Sequence, residues 1–105
     1  MRNLDKNGLM DRINKEELID KLIRELPMLR TRLDLTQDEI SEIAGLSRQT
    51  YSALETRKRK MTWSNYLVLM LIFHYNPATR DMVEKAGVFP DELKKLFLLN
   101  HRDKK

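Results

Sequence analysis

The sequence predicts an all-α fold, a compact bundle of five to six helices that contains a helix-turn-helix. Three observations predict it. Apolar residues recur at spacings of three and four through most of the chain, and a Ser, Thr or Asn stands ahead of five of the stretches. Gly and Pro number three each in 105 residues, and no run besides Tyr66–Phe73 reads as a strand, so that segment would have nothing to pair with.

Residues 1–13 show weak periodicity and hold Gly8, and read as a frayed arm or a short helix. Asn14 and Glu17 form a capping-box pattern, after which Leu18, Ile19, Leu22, Ile23 and Leu26 make an amphipathic stripe. A helix from about Lys15 to Glu25 follows. Pro27 lacks the N–H that a helix interior needs, so it is expected to kink this helix or to start another with Met28, Leu29 and Leu33 inward.

Thr36 and Glu39 form a second capping box, and Ile40, Ile43 and Ala44 give a short apolar face that stops at Gly45. Ser47 then caps a third helix beginning Arg48, Gln49, Thr50. At 100° per residue Tyr51 and Leu54 fall on one side of it, near Ser47 and Thr50, while Arg48, Gln49, Ser52, Ala53 and Thr56 fall on the other. The outer face is small, polar and basic. Thr62 caps a fourth helix, Trp63 to Tyr75, whose central residues are apolar all round and should be buried on more than one side. Asn76 and Pro77 read as N-cap and first-turn proline of a fifth helix ending at Gly87, and Pro90 opens a sixth with Leu93, Leu96, Phe97 and Leu99. Asn100 to Lys105 is a polar tail.

Composition removes whole classes of function. With no cysteine, disulfide scaffolds, zinc fingers and thiol nucleophiles are excluded. His74 and His101 have no third ligand at metal spacing, so neither a metal nor another cofactor is expected. No nucleophile has a plausible base beside it, and Glu39 and Glu42 read as capping and solvation, so an enzyme is not expected. The longest apolar run, Tyr66–Phe73, is far below the roughly 20 residues of a membrane span. A cytoplasmic protein with no membrane partner is the expectation, and Trp63, Tyr66, Phe73 and Tyr75 read as core or interface.

The net charge of +4 is unevenly spread. Residues 1–26 carry six charges of each sign, 36–45 are net −3, and 46–62 are net +4 through Arg48 and the run Arg57, Lys58, Arg59, Lys60 against Glu55 alone. A positive block beside a short helix with a small outer face is what a major-groove reader requires, because its side chains must reach base edges while cations hold phosphates.

Here the residues resemble a known family. Over Leu29 to Ile72, with LDLTQDEISEIAGLSRQTYSALE at 33–55, the chain is similar to the Cro and lambda-repressor-like helix-turn-helix family, also called the xenobiotic-response-element family. The T-Q-x-E, G-L-S-R-Q-T and L-E elements stand in register. The resemblance implies that Arg48, Gln49, Ser52 and Ala53 face bases, and that Gln37, Thr50, Arg57, Lys58, Arg59 and Lys60 contact phosphates. It further implies an Arg30–Glu55 ion pair locking the first helix to the recognition helix. Glu55 also falls beside the inward face by helical periodicity. The chain departs from the family's usual residues at Asp34 and Arg57, where Gly is common, at Ser41, usually Ala, and at Tyr51, usually smaller and branched.

The organisation read from the sequence is an arm and amphipathic helix at 1–26, a helix-turn-helix DNA-binding core at 27–76, and C-terminal helices at 77–105 that serve as a dimerisation element, all in one domain. The function expected is a sequence-specific, double-stranded DNA-binding transcriptional regulator of bacterial or phage type, a repressor acting as a homodimer through Phe89, Phe97, Leu98 and Leu99. The alternative is a protein-interaction module, such as an antitoxin that neutralises a toxin partner.

Overall fold

A computed structural model describes residues 13–98, and among them all regular structure is α-helix. Six helices follow in order: α1 Lys15–Arg32, α2 Gln37–Ala44, α3 Arg48–Glu55, α4 Trp63–Tyr75, α5 Pro77–Lys85 and α6 Asp91–Phe97. The expectations for residues 1–12, for Leu99, for His101 and for the tail lie outside the described residues. No helix among the described residues is long and apolar enough to cross a membrane.

The two longest helices form the centre. α1 packs against α3, α4 and α5, and α4 also packs against α2 and α5. Leu22, Leu26 and Leu29 of α1 meet Ile40, Tyr51, Leu54, Leu69, Phe73 and Val83, all fully buried, in one core. Side-chain caps fix the starts of the first four helices. The Asn14, Thr36, Ser47 and Thr62 side chains accept from the N–H of Glu17, Glu39, Thr50 and Asn65, and both Thr36 and Thr62 complete reciprocal boxes.

Pro27 does not end or restart a helix: α1 runs unbroken through it for 18 residues. An interior proline costs on the order of 3 kcal/mol. Burying the stripe Leu18, Leu22, Leu26 and Leu29, at roughly 1.5–3 kcal/mol per side chain, exceeds that cost, and one continuous helix carries all four. Met28, expected inward, is 62% exposed because it falls off this stripe.

α4 also differs from expectation. Tyr66, Leu69, Met70 and Phe73 are buried, but Leu71 and Tyr75 are 68% and 76% exposed, so the all-round apolar helix is covered on only part of its surface. With Leu33, Leu35, Ile43 and Ile72 they line an open apolar groove of about 550 Å³. At the start of α4, Trp63 stacks on Tyr66 at 4.6 Å between centroids, with the Lys15 ammonium over its ring.

Asn76 occupies the N-cap position of α5 without capping it; its amide donates back to the Ile72 carbonyl at 2.7 Å. Arg80 adds donors to the His74 and Tyr75 carbonyls and the buried Thr79 hydroxyl donates to the Phe73 carbonyl, so the last turn of α4 takes four side-chain hydrogen bonds. The Tyr66 hydroxyl donates to the Val88 carbonyl and ties α4 to the α5–α6 connection. α6 docks through buried Leu93, the Lys94–Glu84 ion pair and a Phe97–Phe89 ring contact. Of the expected dimerisation residues, Phe89 is half-buried against the His74 ring, while Phe97 and Leu98 are 50% and 58% exposed.

Candidate nucleic-acid interface

The turn between α2 and α3 is set by Gly45, whose φ of +76° lies in the left-handed region that side chains rarely adopt. The Leu46 N–H reaches back to the Ser41 carbonyl at 2.8 Å and closes the end of α2. Ser41, in place of the usual Ala, is 3% exposed and donates its hydroxyl to the Asp38 carbonyl at 2.8 Å, so no buried polar atom is left unpaired there. α2 and α3 thereby cross closely with α3 presented outward.

Tyr51 and Leu54 turn into the core, and the opposite side of α3 is open. Arg48, Gln49, Ser52, Ala53 and Thr56, joined by Lys58 from the following loop, line a concavity of about 360 Å³. All four residues expected to face bases lie on it. Arg48 stands at its edge, where its Nε is 3.5 Å from the Asp38 carboxylate in a pair whose side chains are both largely exposed.

Beneath α3 lies a polar cluster centred on Glu55. Arg30 donates to it twice, Nε to Oε2 at 2.8 Å and Nη2 to Oε1 at 3.3 Å. Gln37 donates from Nε2 to Oε1 at 3.0 Å, and the Tyr51 hydroxyl to Oε2 at 2.6 Å. Arg30 further donates to the Leu35 carbonyl at 3.1 Å, which holds the α1–α2 corner. Burial by itself would raise the Glu55 carboxyl, but the hydrogen bonds from Arg30, Tyr51 and Gln37 outweigh it and hold the group below the usual carboxylate range. Burial and the neighbouring Glu55 push the Tyr51 hydroxyl upward, so it remains a donor. Gln37, expected at a phosphate, has its amide turned inward to this cluster.

Thr50 also serves the scaffold: its Oγ1 accepts from the Ser47 hydroxyl at 2.9 Å while its N–H donates to the same oxygen at 3.0 Å. The expected basic block divides. Arg57 adopts φ +63°, the conformation for which the family commonly has Gly, and its N–H bonds to the Leu54 carbonyl. The Lys58 and Arg59 N–H groups both reach the Ala53 carbonyl, at 2.9 and 3.2 Å, so the loop is pinned to the end of α3. Lys58 then joins the α3 concavity, whereas Arg57, Arg59 and Lys60 line a second groove of about 370 Å³ against Glu16 and Asp20 of α1. Arg57 is engaged there, with Nη1 2.8 Å from Asp20 Oδ1. The backbone turn at Arg57 thus sends successive side chains of the run to different grooves.

Sequence reading missed Asp20 and Asp38 as partners of Arg57 and Arg48, and Tyr51 as a partner of Glu55. Only the last had a local signal, the four-residue spacing that places two side chains one above the other on a helix. A helix-turn-helix family model matches residues 28–62, from within α1 to the N-cap of α4. Those residues form a helix-turn-helix of the Cro and lambda-repressor-like type. This helix-turn-helix covers about a third of the chain, and comparison with curated proteins and with solved structures gives no match. In it, α2 and α3 are the paired helices, α3 stands in the recognition position, and the Glu55 cluster ties both to α1.

Proposed function

We propose that the chain is a sequence-specific, double-stranded DNA-binding transcriptional regulator of bacterial or phage type, working in the cytoplasm, that inserts α3 into the major groove. The carrying observation is the open concavity on α3, where Arg48, Gln49, Ser52 and Ala53 stand together beside Lys58. Arg offers a guanine two parallel donors, Gln pairs with adenine, and the Ala methyl suits a thymine methyl. Lys58, the N-terminus of α2 and the Thr50 hydroxyl supply phosphate contacts along the same side. Occlusion of a promoter is the simplest consequence, so repression is the proposed sign of regulation.

A single short helix touches few base pairs, and a homodimer that sets two copies of α3 about 34 Å apart would supply the missing affinity. The half-exposed Phe97 and Leu98 support a contact through the C-terminal helices. A second reading, an antitoxin-like module with a protein partner, is favoured by one observation: the apolar groove around Leu71 and Tyr75, with Ile43 59% exposed at its side. Selection of binding sites from random duplex DNA at physiological salt tests the primary reading. A recovered motif supports it. Recovery of no motif, with binding that depends only on salt, would leave the protein-partner reading.

A further inference from the structure

The ion pair between Arg57 and Asp20 joins the loop after the recognition helix to the middle of α1, 37 residues away. Within the run from Arg57 to Lys60 it is the only ion pair among the described residues. We propose that Asp20 is a resident competitor for Arg57: the carboxylate holds the guanidinium in the free protein and yields it to a backbone phosphate when duplex DNA binds. This rests on the DNA-binding reading above and adds a residue, on a helix outside the paired helices, that lowers the affinity for every duplex.

Four observations carry it. The root of Arg57 is fixed at the boundary between the two grooves, since its backbone is bonded to Leu54 and its neighbour Lys58 already faces the α3 concavity. A rotation of the side chain, with no movement of the loop, is all the exchange needs. Both partners are half-exposed, at 50% and 48%, so water and ions reach the pair and it is held weakly. Asp20 has a second cation, Arg24, one helical turn along α1 at 3.5 Å. When Arg57 leaves, the carboxylate is therefore not stranded. The hydrogen bond from Arg57 also keeps the Asp20 carboxyl below its ordinary range, so it is ionised and competing at neutral pH.

The charge bookkeeping is one for one. A phosphate oxygen replaces a carboxylate oxygen on the guanidinium, one condensed cation leaves the DNA, and Asp20 falls back on Arg24.

Binding of the full chain to one duplex, measured from 50 to 200 mM salt, tests this with Asp20→Asn, Glu16→Gln, Arg57→Met and the double variant Asp20→Asn/Arg57→Met. Glu16 lies in the same groove and forms no ion pair with Arg57 among the described residues, so its variant reports loss of a nearby charge alone. Asp20→Asn is expected to tighten binding about threefold to fivefold, the factor an exposed ion pair can withhold, and Glu16→Gln by less than about twofold. Arg57→Met should flatten the slope of log K against log salt by about 1. In the Arg57→Met background Asp20→Asn should do no more than Glu16→Gln. Equal effects of Asp20→Asn and Glu16→Gln, weaker binding by Asp20→Asn, or an unchanged slope for Arg57→Met would each overturn the proposal while leaving DNA binding intact. Failure of the unmodified chain to bind any duplex would overturn the DNA-binding reading and this proposal together.

Discussion

Tyr51 and Glu55 stand one turn apart on α3, and the phenol hydroxyl donates to the carboxylate at 2.6 Å from a ring that is wholly buried. A residue larger than the family commonly carries is thus accommodated by giving its one polar atom a charged acceptor. The consequence is measurable. Tyr51→Phe keeps the ring volume and removes one of four donors to Glu55, and should cost about 1.5–3 kcal/mol, the range for a hydrogen bond to a charged group. Chemical denaturation would check this; a change below about 0.5 kcal/mol would mean that Arg30 and Gln37 satisfy Glu55 unaided.

Arg30→Ala and Glu55→Ala should each destabilise by about 3–5 kcal/mol, since either leaves a mostly buried charge without its partner, and the double variant should cost less than their sum. The same carboxylate makes stability depend on pH. Its folded pKa lies below the ordinary 4.5, so its contribution is fully present above that value and is lost as pH falls through the folded pKa. Thermal unfolding between pH 6 and pH 3 should therefore show a steeper acid loss for the unmodified protein than for Glu55→Gln. Parallel curves would assign the acid sensitivity to other groups.

Most of the helical framework was legible in the sequence because its signals are local. Thr36, Ser47 and Thr62 stand ahead of their helices as caps, and Gly45 marks the only turn tight enough to need positive φ between α2 and α3. The helix end expected near Glu25 is overturned because the cost of Pro27 is local while the burial that outweighs it comes from packing on α3, α4 and α5. The same division holds at the interface. The polar outer face of α3 follows from periodicity alone, but the pairing of Arg57 with Asp20 depends on a backbone conformation at Arg57 and on a helix 37 residues distant.

For base reading, Arg48→Ala should weaken binding to the selected site by about 1–3 kcal/mol and relax preference at one base pair. Competition binding against sites altered at each position would show it. A loss of the same size on random duplexes would reduce Arg48 to a phosphate contact.

Lys58 is the one member of the basic run that shares the α3 concavity. Lys58→Ala should weaken all duplexes nearly alike and flatten the salt slope by about 1. Titrations at four or more salt concentrations would suffice, and an unchanged slope would place the ammonium in solvent.

Light scattering at micromolar concentration should give a dimeric mass, and Phe97→Glu should halve it. A monomeric mass for the unmodified protein, both free and on a palindromic site, would remove the dimer. If Leu71→Glu halves the mass and Phe97→Glu does not, the contact runs through the groove beside α2 instead.

The continuity of α1 through Pro27 bears on how this molecule can be divided. The family match opens at Met28, partway along a single helix, and a fragment cut there would keep Arg30 and Leu29 but lose Leu18, Leu22 and Leu26. Tyr66, Leu69 and Phe73, beyond the far boundary at 62, would go with them. What remained would be two short helices around an exposed seam, with Glu55 still anchored to the stub of a helix too short to hold itself together. The recognisable segment is thus a module in its pattern of residues and not in its folding: grafting it into another protein would require bringing the whole of α1 and α4 along.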